Sequence, residues 1–138
     1  MSDVFHFLTD DDLRLLAEKA KRMSFAAGEL LLSEGQESAG IYVLRSGRVR
    51  VQKRAISPRR IIATLEPGEV FGEVSFIDNQ RVSASVVAIE PTEVDLLGKS
   101  EVISLLSSVP GLSSRFYQSL ALKLSERLRA TTDDLAHL

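Results

Sequence analysis

The sequence contains no cysteine and only two histidines among 138 residues. Without cysteine there is no disulfide framework, thiolate zinc site, iron–sulfur cluster or thiol nucleophile. His6 and His137 stand near opposite ends of the chain, which argues against a histidine-rich metal centre or a Ser-His-Asp triad. No residue is therefore assigned as catalytic or as a metal ligand, no cofactor is expected, and the chain is not expected to be an enzyme. An excess of one charge is missing too: 17 Lys and Arg against 19 Asp and Glu leave −2. That disfavours a whole-domain electrostatic grip on nucleic acid or an anionic membrane. No apolar run approaches the ~20 residues of a membrane span. The amino end lacks the basic and apolar segments of a secretion signal. The expected location is the cytoplasm, free or as a module of something larger.

The residues that are present are 44% hydrophobic and 26% charged, the balance of an ordinary globule. The length suits one domain, residues 1–138. Thr9 with Asp12 forms a capping-box signature, and Leu8 and Leu13 occupy hydrophobic-staple positions. Asp10, Asp11 and Asp12 suit the positive end of a helix dipole. Leu13, Leu16, Ala17 and Ala20 then form a stripe that predicts a helix over about 10–21. From Gly28 to Gly98 short runs rich in Val, Ile and Leu alternate with turn residues, the pattern of a sandwich or barrel. Ser46-Gly47 reads as a tight hairpin turn. Ser100 is a candidate cap for a short helix, Pro110 suits a first helical turn, and a long helix is expected over about 112–136.

Three features bear on function. In Glu69–Asp78, Gly72 permits close backbone approach, and a helical turn after it would present free N–H groups suited to phosphate. Glu73 makes sense there if it accepts from a sugar hydroxyl while Arg81 supplies countercharge. The bland alternative is a turn with a solvated Glu and Arg. The run Arg45, Arg48, Arg50, Lys53, Arg54, Arg59 and Arg60 holds no acid. It reads as a solvated hairpin rim, with docking of nucleic acid, an acidic partner or anionic lipid as the functional alternative. In the last helix Ser114, Tyr117, Ala121, Leu124, Leu128, Thr131, Leu135 and Leu138 fall at a and d positions, which suits a homodimer seam. Phe116 and Leu120 offer a second stripe for packing on the chain's own barrel.

Three stretches carry a resemblance: Gly28-Glu-Leu-Leu-x-x-Glu34-Gly35, Ile41-Tyr42-Val43-Leu44-x-Ser-Gly47-Arg-Val-x-Val51, and Ile62-Ala-Thr-Leu-x-Pro-Gly68-x-x-Phe71-Gly72-Glu73. Together they resemble the cyclic nucleotide-binding domain of the catabolite activator and cAMP-dependent kinase regulatory subunit type. The resemblance runs from Phe7 to about Arg129. It implies a mainly β fold, an eight-stranded jelly-roll β-barrel with one N-terminal helix and two C-terminal helices. The expected boundaries are about 7–24, 25–98 and 99–138.

By resemblance, Glu73 takes the ribose 2′-hydroxyl, the amides of Gly72, Val74 and Ser75 face the ligand, and that of Ser83 faces the phosphate. The family's Pro-Arg pair departs here. Aligned without gaps to Ala84-Ser85-Val86-Val87-Ala88, its positions hold Arg81 and Val82. The arginine stands one residue early, and a one-residue slip along a strand reverses facing. The candidate ligand-binding set is Gly72, Glu73, Val74, Ser75, Arg81, Val82, Ser83 and Ala84. The implied function is a regulatory sensor for a cyclic nucleotide, cAMP rather than cGMP, that moves its C-terminal helices on binding. The alternative is a degenerate copy of the fold serving as a structural or oligomerisation module. Direct DNA binding is not expected, because no helix-turn-helix segment follows the long helix.

Overall fold

A computed structural model describes residues 1, 3–53 and 60–136. Arg54, Arg59, His137 and Leu138 lie outside the described residues, as do the side chains of Arg60 and Leu135. The chain opens with α1, Asp10–Lys19. Its capping box forms as the sequence signals: the Thr9 amide donates to Asp12 Oδ2 at 3.0 Å and the Asp12 amide to Thr9 Oγ1 at 3.1 Å. The helical segment is shorter than the expected 7–24. Ala20 already has extended backbone, and Lys21–Phe25 forms strand β1. The cause is the alternation of Met23 and Phe25, which pack against the sandwich core, with exposed Arg22 and Ser24.

Seven further strands follow among the described residues: β2 (Leu30–Leu32), β3 (Gly40–Ser46), β4 (Val49–Lys53), β5 (Arg60–Leu65), β6 (Val70–Phe71), β7 (Ser85–Ala88) and β8 (Thr92–Gly98). They form two four-stranded antiparallel sheets, ordered β1-β8-β3-β6 and β2-β7-β4-β5, the jelly-roll arrangement. A helix α2, Glu73–Asp78, interrupts the strands after β6. The chain closes with α3, Lys99–Ser108, and α4, Leu112–Ala136. Ser100 lies inside α3 rather than capping it; Gly98 is the cap residue and offers no side chain.

The Ser46-Gly47 turn is not a hairpin. β3 pairs with β6 and β8, and β4 pairs with β5 and β7, so the turn carries the chain from one sheet to the other. Gly47 has φ +82°, and a Cβ there would stand 2.3 Å from the Pro91 carbonyl oxygen. The glycine permits the crossing. The run Ile41-Tyr42-Val43-Leu44 lacks alternation because both of its faces are buried. Ile41 and Val43 face a core shared with Leu16, Val102, Leu112, Phe116 and Leu120 of the helices. Tyr42 and Leu44 face the second core, between the sheets, with Val49, Phe71, Val82, Val86 and Val94. No helix among the described residues is long and apolar enough to cross a membrane.

Candidate functional site

β6 ends at Phe71, whose ring stacks on Tyr42 at a centroid distance of 5.0 Å and 3° between planes. The chain then turns through Gly72, at φ +81° and ψ −1°, directly into α2. A Cβ at Gly72 would meet the Gly40 carbonyl oxygen at 3.0 Å, so glycine lets the turn lie against β3. Phe76 faces inward and meets Phe116 of α4 edge to face at 6.1 Å, which fixes the helix's rotation. Glu73 is thereby turned into the interior, at 2% exposure.

Beside α2 lies a cavity of about 170 Å³. Leu32, Leu65, Phe71 and Val86 supply apolar wall, and Gly72, Glu73, Val74, Ser75, Val82, Ser83 and Ala84 line the remainder with Arg127. The structure thus brings together seven of the eight residues singled out from the sequence. Arg81 is the eighth, and the structure places it elsewhere. Its Nη1 donates to the Gly35 carbonyl at 3.0 Å, and it borders a separate surface cleft with Glu37, Ser38 and Lys99. The register decides this. The Val82 amide donates to Gln36 O at 2.9 Å and the Gly35 amide to Val82 O at 2.8 Å. These bonds set Val82 inward, 6% exposed, and its neighbour Arg81 outward.

Arg127 was not singled out from the sequence. It rises from α4 to donate from Nη1 to Glu73 Oε1 at 2.7 Å and from Nη2 to the Val70 carbonyl at 2.8 Å. Fifty-four residues separate the two partners of this ion pair, so no local motif could announce it. A periodicity signal did exist. Leu112, Phe116 and Leu120 define the inward face of α4, and residue 127 lies about two turns beyond Leu120 at nearly the same azimuth. Glu73 and Arg127 are the only charged residues lining the cavity among the described residues. Their charges cancel.

The basic run behaves as a solvated rim where it is described. Arg48 Nε lies 2.5 Å from Glu90 and Arg45 3.4 Å from Asp95, and Lys53 reaches Glu34 at 3.5 Å. On α4, Ser114, Tyr117, Ala121, Leu128 and Thr131 are exposed and Leu124 is half-buried, while Phe116 and Leu120 are fully buried. The second stripe packs on the barrel, and the heptad face is left outward.

Comparison with known proteins places this geometry. A family model described as "Cyclic nucleotide-binding domain" matches residues 22–109. The cyclic AMP receptor protein of Thermus thermophilus is 32% identical over 129 residues, covering 93% of this chain and 58% of that relative. The crystal structure of the Thermus thermophilus catabolite activator protein superposes with a TM-score of 0.80 at 31% identity, covering 98% of this chain and 62% of that one. A cyclic nucleotide-binding domain from Methylobacillus flagellatus superposes with a TM-score of 0.87 at 24% identity, covering 98% and 82%, and supports the fold. The chain spans less than two thirds of the length of the Thermus relatives it matches.

Proposed function

This chain belongs to the cyclic nucleotide-binding domain family, and from that membership we propose a regulatory sensor that takes cAMP in preference to cGMP and reports binding through α4. One observation carries the proposal: the Glu73–Arg127 ion pair joins the cavity to the terminal helix. In this reading the residues act as follows. Glu73 offers a carboxylate oxygen to the ribose hydroxyl, the backbone amides of Gly72, Val74 and Ser75 face the ligand, and that of Ser83 faces the cyclic phosphate. Ala84 and Val82 close the wall. A cavity of about 170 Å³ is smaller than the roughly 300 Å³ at which ligand sites begin. Entry of a nucleotide therefore requires the lining to move, and Arg127, which lines the cavity from α4, passes that movement to the helix. That is a shift between two states driven by differential affinity.

The homodimer along the heptad face of α4, the cytoplasmic location, the single-domain organisation, the lack of direct DNA contact and the absence of enzymatic activity in this chain belong to the same proposal. A second reading, a scaffold copy of the fold that binds no nucleotide, draws on buried Val82 and on outward-facing Arg81. Calorimetric titration with cAMP and cGMP separates the two. The sensor reading expects saturable cAMP binding that weakens in Glu73→Ala. Heat-silent titrations with both nucleotides, together with unchanged melting temperature, would leave the scaffold reading standing.

A further inference from the structure

A cyclic nucleotide carries one negative charge on its phosphate, and the cavity lining is neutral among the described residues. Bringing that anion into a largely apolar pocket leaves net charge −1 in a poorly solvated space, which is costly unless a cation faces it. Arg81 does not: its guanidinium lies outside the cavity, and the backbone bonds that turn it outward are made by its neighbour Val82. Lys53 does not line the cavity; its ammonium donates to the Ser83 carbonyl at 2.9 Å on the exposed side. Arg127 remains. A guanidinium has five N–H donors, and Arg127 directs one bond at Glu73 and one at Val70 O. Three donors are uncommitted by these bonds, and the fork geometry suits a phosphate.

Resting on the reading that the ligand is a cyclic nucleotide, we propose that Arg127 of α4 is the cation that receives the ligand phosphate in this chain. It replaces in space an arginine that the α2–β7 segment does not supply. Glu73 holds Arg127 at the cavity in the absence of ligand and keeps its second carboxylate oxygen for the ribose. The consequence is a dependence of affinity on α4 itself. The countercharge is carried by the moving element, so ligand binding and α4 docking are one event rather than two linked ones.

The test is a double-mutant cycle with cAMP, read by calorimetry on the full chain, with each variant's melting curve confirming that it folds. Arg127→Gln should weaken binding about tenfold to a hundredfold, the loss of one charge-assisted contact. Val82→Arg places a guanidinium in the cavity wall without touching Glu73. It should restore at least tenfold of the affinity in the Arg127→Gln background and gain much less in the wild type, giving a coupling that contacts sharing one ligand group display. An Arg127 that merely positioned Glu73 would leave the phosphate unserved in both backgrounds, so Val82→Arg would gain about as much in the wild type as in Arg127→Gln, and that additivity would overturn the proposal. Unchanged affinity in Arg127→Gln would overturn it equally. Should Arg127→Gln fail to fold, Val82→Arg alone decides: a gain of tenfold or more over wild type means the phosphate was unserved and the proposal is wrong, whereas a gain of under about threefold supports it. If wild type is silent at about 1 mM cAMP while Val82→Arg binds, Arg127 fails as the phosphate cation but the nucleotide pocket stands. Silence in both variants and wild type overturns the nucleotide reading itself.

Discussion

Asp12 shows how much a single residue can be asked to do. Its position near the start of α1 suits the helix dipole, yet it is 2% exposed and grips Arg115 of α4 with two bonds, 2.7 and 2.9 Å. Those bonds, chiefly, hold its carboxyl below the usual range against the opposing effect of burial, with Thr9 adding to them. A depressed folded pKa stabilises above the unfolded value of about 3.9 and is lost as pH falls through the folded value. Wild type should therefore lose melting temperature more steeply than Asp12→Asn as pH falls below about 4, with the two curves converging at the acid end. Parallel curves would show that the pair contributes nothing. At neutral pH Asp12→Ala should cost about 1.5–3 kcal/mol in denaturant melts, because the charged bonds and the cap partner go together. Arg81 is the contrast. It is 68% exposed, and Arg81→Ala should change stability by less than about 0.5 kcal/mol and leave cAMP affinity within about twofold.

Among the elements, α4 has one buried apolar face and one outward face that also carries apolar residues. Phe116 is fully buried and stacks on Phe5 at 5.2 Å. Phe116→Ala should destabilise the chain by about 3–5 kcal/mol, through lost transfer energy and the cavity left behind. The opposite face carries exposed Tyr117 and Leu128 with half-buried Leu124. Replacing Leu124 and Leu128 together by Glu should leave the melting temperature nearly unchanged and abolish association. Sedimentation over a range of concentrations checks this: a wild-type chain still monomeric at about 100 μM would exclude a dimer of even ~10 μM affinity. An unfolded double variant would instead mean that the residues pack on the barrel. The two predictions test the two faces of one helix separately, one for folding and the other for association.

At the scale of the whole molecule, two cores meet across β3. One lies between the helices and the β1-β8-β3-β6 sheet, the other between the two sheets. The cavity borders the second core through Val82 and Val86, and Arg127 reaches it from α4. Saturating cAMP, at about a hundred times its dissociation constant, should stabilise the fold by about 2.7 kcal/mol through mass action alone. Hydrogen exchange should show the added protection concentrated in α2 and in α4 around residue 127 rather than spread evenly. Uniform protection would mean that α4 does not respond as an element.

The sequence by itself determined the local grammar. Thr9 and Asp12 announced the cap that forms, glycine at 72 announced the turn before α2, and the uninterrupted 112–136 stretch announced α4. Those signals act over a few residues, within one helical turn or one strand, where side-chain chemistry and backbone geometry decide the outcome locally. Tertiary structure decided what depended on distant partners. β1 became a strand because β8 was there to pair with Met23 and Phe25 exposed a face to the sandwich. Ser46-Gly47 became a crossing between sheets because β3 and β4 found different neighbours. Arg81 was turned away by bonds between Val82 and the 35–36 segment, and Arg127 was brought to Glu73 from 54 residues away. An ion pair of that separation is a property of how α4 lies on the barrel, and packing, not local spacing, sets that position.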